Sequence, residues 1–363
     1  MLHIRTRTEY SFRKAYGPIQ GIVDGASEAI GIADSGTWGH VPFNNACKKA
    51  GVKPIFGVEI AVVGDSTERT KQPSNSMAFI AKNNSGLTEV YELVTKSTQK
   101  ENFYYFPRIS YSDLFDISSN VIILSGSHPE WGMLPLTRKD DLYIEINPMS
   151  SRKALEFCEQ KGFKPVATSD NYYPKVADKK AYEVLVGRNR TERTSPMHLL
   201  NEWEILDCIP WLPDEAIANT YKIADLCNVD LPVAQMISFK PEKTLRQMCI
   251  DGAPSRGVDL SDPIYNARLD RELDMISSKK FEDYFYVIAD MINYAKKHML
   301  VGPARGSSAG SLVCWLIGIT DVDPIFHDLL FERFIDITRE DLPDIDIDFQ
   351  DDRREMVFQY LRD

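Results

Sequence analysis

Short apolar runs alternate with amphipathic stretches through the first half of the chain, and no other feature limits its fold as strongly. The runs are Leu2–Arg7, "KPIFGVEIAVV" (53–63), "MAFIA" (77–81), "VIILSG" (121–126), "LYIEIN" (142–147) and "PVATSD" (165–170). Several stop at Gly, Ser, Asp or Asn, and helix-like segments lie between some of them. Strand-sized runs interleaved with helices pack as βα units around a largely parallel sheet or barrel. In such folds functional side chains gather at the C-terminal ends of the strands.

From about residue 182 the pattern turns helical. "DEAIANTYKIADLCNVDLP" reads as a helix stopped by Asn228 and Pro232, and "SFKPEKTLRQMC" begins another. The stretch "DGAPSRGVDLSDP" is rich in turn residues, and Asp262–Pro263 is a good helix start: a capping side chain, then proline in the first turn. Leu269, Leu273 and Ile276 recur at helical spacing after it, and so do Phe285, Ile288, Ala289 and Ile292 in "EDYFYVIADMINYAKKHM". A domain boundary is expected near residue 245.

Hydrophobic residues are 43% and charged residues 26% of the chain, enough apolar material for a buried core. The net charge of −11 argues against a body coated in nucleic acid, which needs clustered Lys and Arg, but leaves room for a local basic groove. Six scattered cysteines without a CxxC pair fit a reducing compartment and argue against a disulfide framework or zinc finger. The opening "MLHIRTRTEYSF" lacks the apolar core of a signal peptide, and no apolar run approaches membrane-spanning length. A soluble cytoplasmic protein with no membrane partner is expected. Tyr104, Tyr105 and Phe106 read as core packing rather than as a base-stacking platform.

Two motifs carry chemistry. In "VGPARGSSAGSLVCWLIGI", Gly302, Gly306, Ser307, Ser308, Gly310 and Ser311 surround Arg305, and an apolar helix follows. Small residues with free backbone N–H groups at a helix start suit an anion, and an arginine adds a bidentate phosphate clamp. The motif lacks the GK[ST] lysine of a Walker A loop and the spacing of a Rossmann fingerprint. Alone, it could equally be a turn that lets two helices pack closely. In "LPDIDIDF" (342–349), strand alternation puts Asp344, Asp346 and Asp348 on one face and Ile345 and Ile347 on the other. Same-face Cα atoms in a strand are roughly 6.6 Å apart. Neighbouring carboxylates repel unless a cation compensates, and hard divalent cations prefer oxygen ligands. A solvated edge strand is the bland alternative. An EF-hand loop fails because Phe349 stands where the sharp turn needs glycine, although Glu355 occupies the twelfth position. Together the motifs follow nucleotidyltransferase logic: one element holds a triphosphate, the other holds metals.

"VGPARGSSAGSLVCWLIGITDVDPIFHDLLFERFI" followed by "LPDIDIDFQDDRREMVFQYLRD" resembles the palm of C-family DNA polymerases, the bacterial and phage DNA polymerase III alpha family. "DYFYVIADMINYAK", "ANTYKIADLCNVDLP" and "HIRTRTEYSF…GVKPIFGVEI" follow the same family's order, so the resemblance covers essentially the whole chain. It implies an α/β fold: a PHP domain over 1–245, a distorted (β/α)7 barrel with a helical portion from about 182, then over 246–363 the first part of a polymerase-beta-like palm. It implies that Asp344 and Asp346 are catalytic and hold two Mg²⁺ ions, with the role of Asp348 open. It places Arg305, Gly306 and Ser307 at the nucleotide's phosphates, with Arg333 a further candidate. The implied partners are a DNA primer-template and dNTPs, with a sliding clamp and a proofreading exonuclease beyond them. The family's third catalytic aspartate, thumb and fingers would lie outside this chain, so the chain alone is expected to be inactive, as a fragment or one half of a split polymerase.

The PHP metal site reads as eroded. The resemblance implies histidines at the positions of Arg5 and Arg7, an acid–histidine step at Asp34–Ser35, and a histidine where Tyr172 stands. Arginine is permanently charged and cannot ligate a cation. His3, Asp34, Glu59 and Asp170 remain as a vestigial site, with His40 and His128 at plausible loop ends. The expected PHP domain is metal-free and structural, or docks a separate exonuclease. A metal-dependent phosphoesterase is the disfavoured alternative. A reduced genome such as a phage's would fit the shortened domain.

Overall fold

The computed structural model describes residues 1–187, 195–232, 238–338 and 341–362. The chain divides into two compact units, Met1–Pro232 and Val233–Asp363.

The first unit is built on an eight-stranded sheet: β1 (His3–Thr6), β2 (Ala29–Asp34), β3 (Lys53–Val63), β4 (Asn75–Ala81), β5 (Arg108–Ser110), β6 (Val121–Leu124), β7 (Leu142–Ile146) and β8 (Lys164–Ala167). The order is β1-β2-β3-β4-β6-β7-β8, with β5 paired to the far end of β3. Helices α1 (Ile19–Val23), α2 (His40–Ala50), α3 (Asn84–Thr98) and α4 (Lys153–Lys161) make the crossovers, and α5 (Lys179–Val186), α6 (Glu202–Cys208) and α7 (Asp214–Leu226) follow. Every residue of β2, β6 and β7 is buried, as expected for strands covered on both faces. The sheet is not wholly parallel: β4 pairs antiparallel with both β3 and β6. The connection over 64–74 contains no helix and returns the chain as a long hairpin, where a parallel partner would have needed a crossover.

The sheet curls but, among the described residues, no ladder joins β8 to β1. Helix α7 spans the gap instead. Its Asn219 donates to the Pro165 carbonyl (2.7 Å), and its Thr220 hydroxyl accepts from the Leu2 amide (3.0 Å). Ile223, Ala224 and Cys227 pack with Leu2, Ile4 and Val166. The loop after β8 also reaches β1: the Arg7 amide donates to the Asn171 side chain (3.0 Å). The aromatic tip departs from expectation. Tyr105 has φ +62° and is 83% exposed, so it sits at a left-handed turn rather than in the core.

The second unit is helical among its described residues: α8 (Leu245–Gly252), α9 (Pro263–Ser278), α10 (Glu282–His298), α11 (Leu312–Leu316) and α12 (Arg354–Arg362). Asp262 caps α9 through the Ile264 amide (2.8 Å), with Pro263 at the first position. The core joins Leu269, Ile276, Phe285, Ala289, Ile292, Val313, Leu316 and Phe331. Helix α11 is shorter than its apolar sequence, because the chain turns through Gly318 at φ +87°. The acidic stretch is not a ladder strand. It runs extended, with one antiparallel bridge from Phe349 to Val301 and a bond from the Gly302 amide to the Asp348 carbonyl (2.8 Å). No partner strand lies along the rest of it among the described residues. Its alternation is as expected: Asp344, Asp346 and Asp348 are exposed, while Ile345, Ile347 and Phe349 pack on the core.

Candidate functional site

In the first unit, Arg5, Arg7, Glu59 and Asp170, which the sequence places at an eroded metal site, form a largely buried cage of opposite charges with Glu145 and Lys14. Arg5 binds both carboxylate oxygens of Glu145 through one guanidinium nitrogen and reaches Glu59 (2.5 Å) through the other. Arg7 also grips Glu59, through Nε (2.9 Å) and a terminal nitrogen (2.5 Å), and pairs with Asp170 (2.7 Å). Lys14 closes on the other Glu59 oxygen. Tyr172 lies under the Arg7 guanidinium, 4.5 Å from ring centroid to Cζ. Three cations thus face three carboxylates. Burial penalises the charged form of Glu59, but Arg7, Lys14 and Arg5 outweigh it and hold its pKa well below the ordinary range. Burial likewise opposes the charge on Arg5, yet Glu145 and Glu59 raise its pKa.

The vestigial residues are not all in the cage. Glu59 and Asp170 are, joined by Arg7. Asp34 accepts from the Thr8 amide (2.7 Å), the Thr8 hydroxyl (2.5 Å) and the Ser11 hydroxyl (2.5 Å); burial raises its pKa against those bonds. His3 meets Ser169 (3.4 Å), and burial lowers its pKa to about 4. His40 is tied to the Gly57 carbonyl (3.1 Å) and the Tyr91 hydroxyl (3.4 Å), while the His128 amide bonds Asn75 (3.3 Å). Sequence reasoning missed Glu145. Its signal was a lone acid inside "LYIEIN", a strand otherwise apolar and wholly buried.

In the second unit, the structure brings the glycine-serine turn against the acidic stretch. Gly306 has φ +66°, and a Cβ there would lie 2.5 Å from Asp346 Oδ2; a Cβ on Gly302 would lie 3.1 Å from that of Asp348. Arg305 pairs with Asp348 (2.9 Å), both side chains well exposed, an arrangement that contributes little to stability. Asp344 and Asp346 form no hydrogen bond or ion pair among the described residues and face solvent. Tyr284, also missed, lies beneath them in α10. Burial raises its pKa, the charges of Asp344 and Asp346 add to this, and the Ile345 amide opposes it. Arg333 is exposed, in the turn Phe331–Arg333, which packs on the turn 306–310; Glu332 pairs with Arg271 (3.3 Å).

The start of α11 is not open to an anion. The buried Glu272 carboxylate already accepts from the amides of Leu312 (2.9 Å) and Val313 (3.0 Å) and the hydroxyl of Ser311 (2.8 Å). Arg268 binds Glu272 through Nε (2.6 Å). Of the groups expected at a phosphate, the geometry leaves Arg305 and the turn 306–310 uncommitted to Glu272. Among the described residues, no cluster of three or more His, Cys, Asp or Glu is placed to hold a metal, and no helix is long and apolar enough to cross a membrane.

Two family models match the chain: the PHP domain at residues 3–163 and the bacterial DNA polymerase III alpha NTPase domain at 243–363. The DNA polymerase III alpha subunit of Aquifex aeolicus is 30% identical over 99% of this chain and 37% of its own length. That of Bacillus subtilis is 31% identical over 99% and 36%. That of Staphylococcus aureus strain Mu50 is 32% identical over 93% and 31%. The chain thus spans about a third of the length of the curated relatives it matches.

Proposed function

Matched by both domains and by relatives along nearly its whole length, the chain belongs to the bacterial DNA polymerase III alpha family, and we propose that it forms the PHP and nucleotide-binding portion of a replicative DNA polymerase. The reaction is template-directed nucleotidyl transfer from dNTPs onto a DNA primer, completed by polymerase segments outside these residues. In this reading the palm portion begins near residue 246.

One observation carries the proposal: Asp344 and Asp346 stand unpaired on one exposed face, with Gly306 against Asp346 and Arg305 alongside. Two oxygen donors on one face fit Mg²⁺, and the missing Cβ of Gly306 keeps the space beside Asp346 Oδ2 open. Mg²⁺ held there would supply the charge that activates a primer 3′-hydroxyl and neutralises the triphosphate. Arg305 contributes a guanidinium that can leave its exposed partner Asp348 for a phosphate. Gly306 and Ser307 line the approach, and Arg333 offers a second cation from the neighbouring turn. Primer extension by the complete polymerase tests the reading. Asp344→Asn and Asp346→Asn each keep shape and remove a ligating charge, so each should cost several orders of magnitude in rate. Wild-type extension by either variant would sink the assignment.

For the PHP portion, the cage supports a structural or docking role rather than a phosphoesterase. Arg5, Arg7 and Lys14 place fixed cations among the carboxylates that a metal site would have to use.

A further inference from the structure

The turn bearing Arg305 and the turn bearing Arg333 are tied together by one ion pair, between the part-buried Arg268 and the buried Glu272. Arg268 donates to the Gly310 carbonyl (2.6 Å), the last residue of the first turn, and to the Leu329 carbonyl (3.0 Å), just before the second. The same guanidinium holds Glu272, which is 0% exposed and accepts three further bonds from the start of α11. Gly310 has no room for a side chain, because a Cβ would meet the Leu330 carbonyl at 2.7 Å. The two turns are therefore pressed together, and α9 supplies the fork that fixes them.

We infer that Arg268 and Glu272 are positioning residues for the incoming nucleotide: they hold the two arginine-bearing turns as one cradle without touching the ligand. The inference rests on the reading of the second unit as a nucleotide site. A planar fork can serve two carbonyls and a carboxylate at once, which a lysine ammonium on its flexible stem cannot do in fixed geometry. A buried ion pair is poor evidence for stability as such, since apolar residues of similar volume often replace one without loss. That property separates positioning from stabilisation.

The test is steady-state primer extension by the complete polymerase, alongside thermal unfolding. Arg268→Met should lower the melting midpoint, because it strands a buried carboxylate, and should raise KM for dNTP on the order of 10- to 100-fold with much less change in kcat. The double variant Arg268→Met/Glu272→Gln removes the uncompensated charge yet keeps an acceptor for the start of α11, so it should regain part of the midpoint but keep the raised KM. Arg268→Lys should fall between wild type and Arg268→Met in KM. An unchanged KM in Arg268→Met, or a double variant that recovers KM together with stability, would overturn the inference. Full activity in Asp344→Asn would instead overturn the underlying site assignment and leave the KM pattern to be read separately.

Discussion

Replacing Gly306 with alanine separates backbone strain from damage to the site. The left-handed φ of +66° costs an alanine roughly 1–2 kcal/mol. The new Cβ would also sit 2.5 Å from Asp346 Oδ2, so that oxygen must retreat by about 0.9 Å to reach the 3.4 Å of ordinary contact. Asp346 is exposed, so its carboxylate can rotate away cheaply. Gly257 is the control. It has φ +68° and nothing within 4 Å of its Cβ position. Gly257→Ala and Gly306→Ala should therefore lose similar stability, a few degrees in the melting midpoint. Only Gly306→Ala should lose activity, on the order of 100-fold, because a shift near 1 Å in a reacting group costs about that much. Melting curves and primer extension by the complete polymerase measure the two effects. Equal activity in both variants would refute the idea that Gly306 keeps the space beside Asp346 clear.

Further predictions concern the first unit. Arg5→Met leaves Glu59 and Glu145 buried with less compensation and should cost about 3–5 kcal/mol in denaturant unfolding. In Mg²⁺-free buffer, EDTA should leave the melting of the chain unchanged, since the cage cations are covalently attached; a chelator-dependent drop there would contradict the fixed-charge reading. Acid should act in two stages. His3 and His40 have folded pKa values lowered from 6.5 to about 4, so the unfolded state binds more protons between those values, and stability falls as pH drops from 6.5 to 4. Each histidine should contribute roughly 3 kcal/mol to that fall, and His40→Gln should flatten the slope of stability against pH. Glu59 is depressed below its ordinary 4.5, so its contribution is intact above pH 4.5 and is lost only as pH falls further.

What was legible in the sequence was local. "KPIFGVEIAVV" matches β3 from end to end, because a mostly apolar run, interrupted by Glu59 and bounded by Gly51 and Gly64, leaves little choice of boundary. Asp262 and Pro263 announced α9 because capping chemistry depends only on neighbours in sequence. The reversed direction of β4 was not legible: apolar content marks a strand but not its polarity. Glu272 was hidden for a related reason. Four residues after Arg268 on a helix, it looks like an exposed ion pair, and only the packing of α11 makes it buried. Asp344, Asp346 and Asp348 were correctly assigned to one face, yet among the described residues the segment carrying them bridges another only at Phe349, which no alternation pattern encodes.

The cage has a consequence for descent. Its members cancel as a set, so no one of them is free to vary alone. A substitution that turns Arg5 or Arg7 into a neutral ligand creates buried net negative charge before any ion arrives to compensate it. A change to Glu59 takes a carboxylate from three cations at once, leaving Arg5 to Glu145 and Arg7 to Asp170. The route between this arrangement and a metal-holding one therefore crosses a barrier at its first step, whichever residue moves first, and the site acts as a ratchet on sequence change.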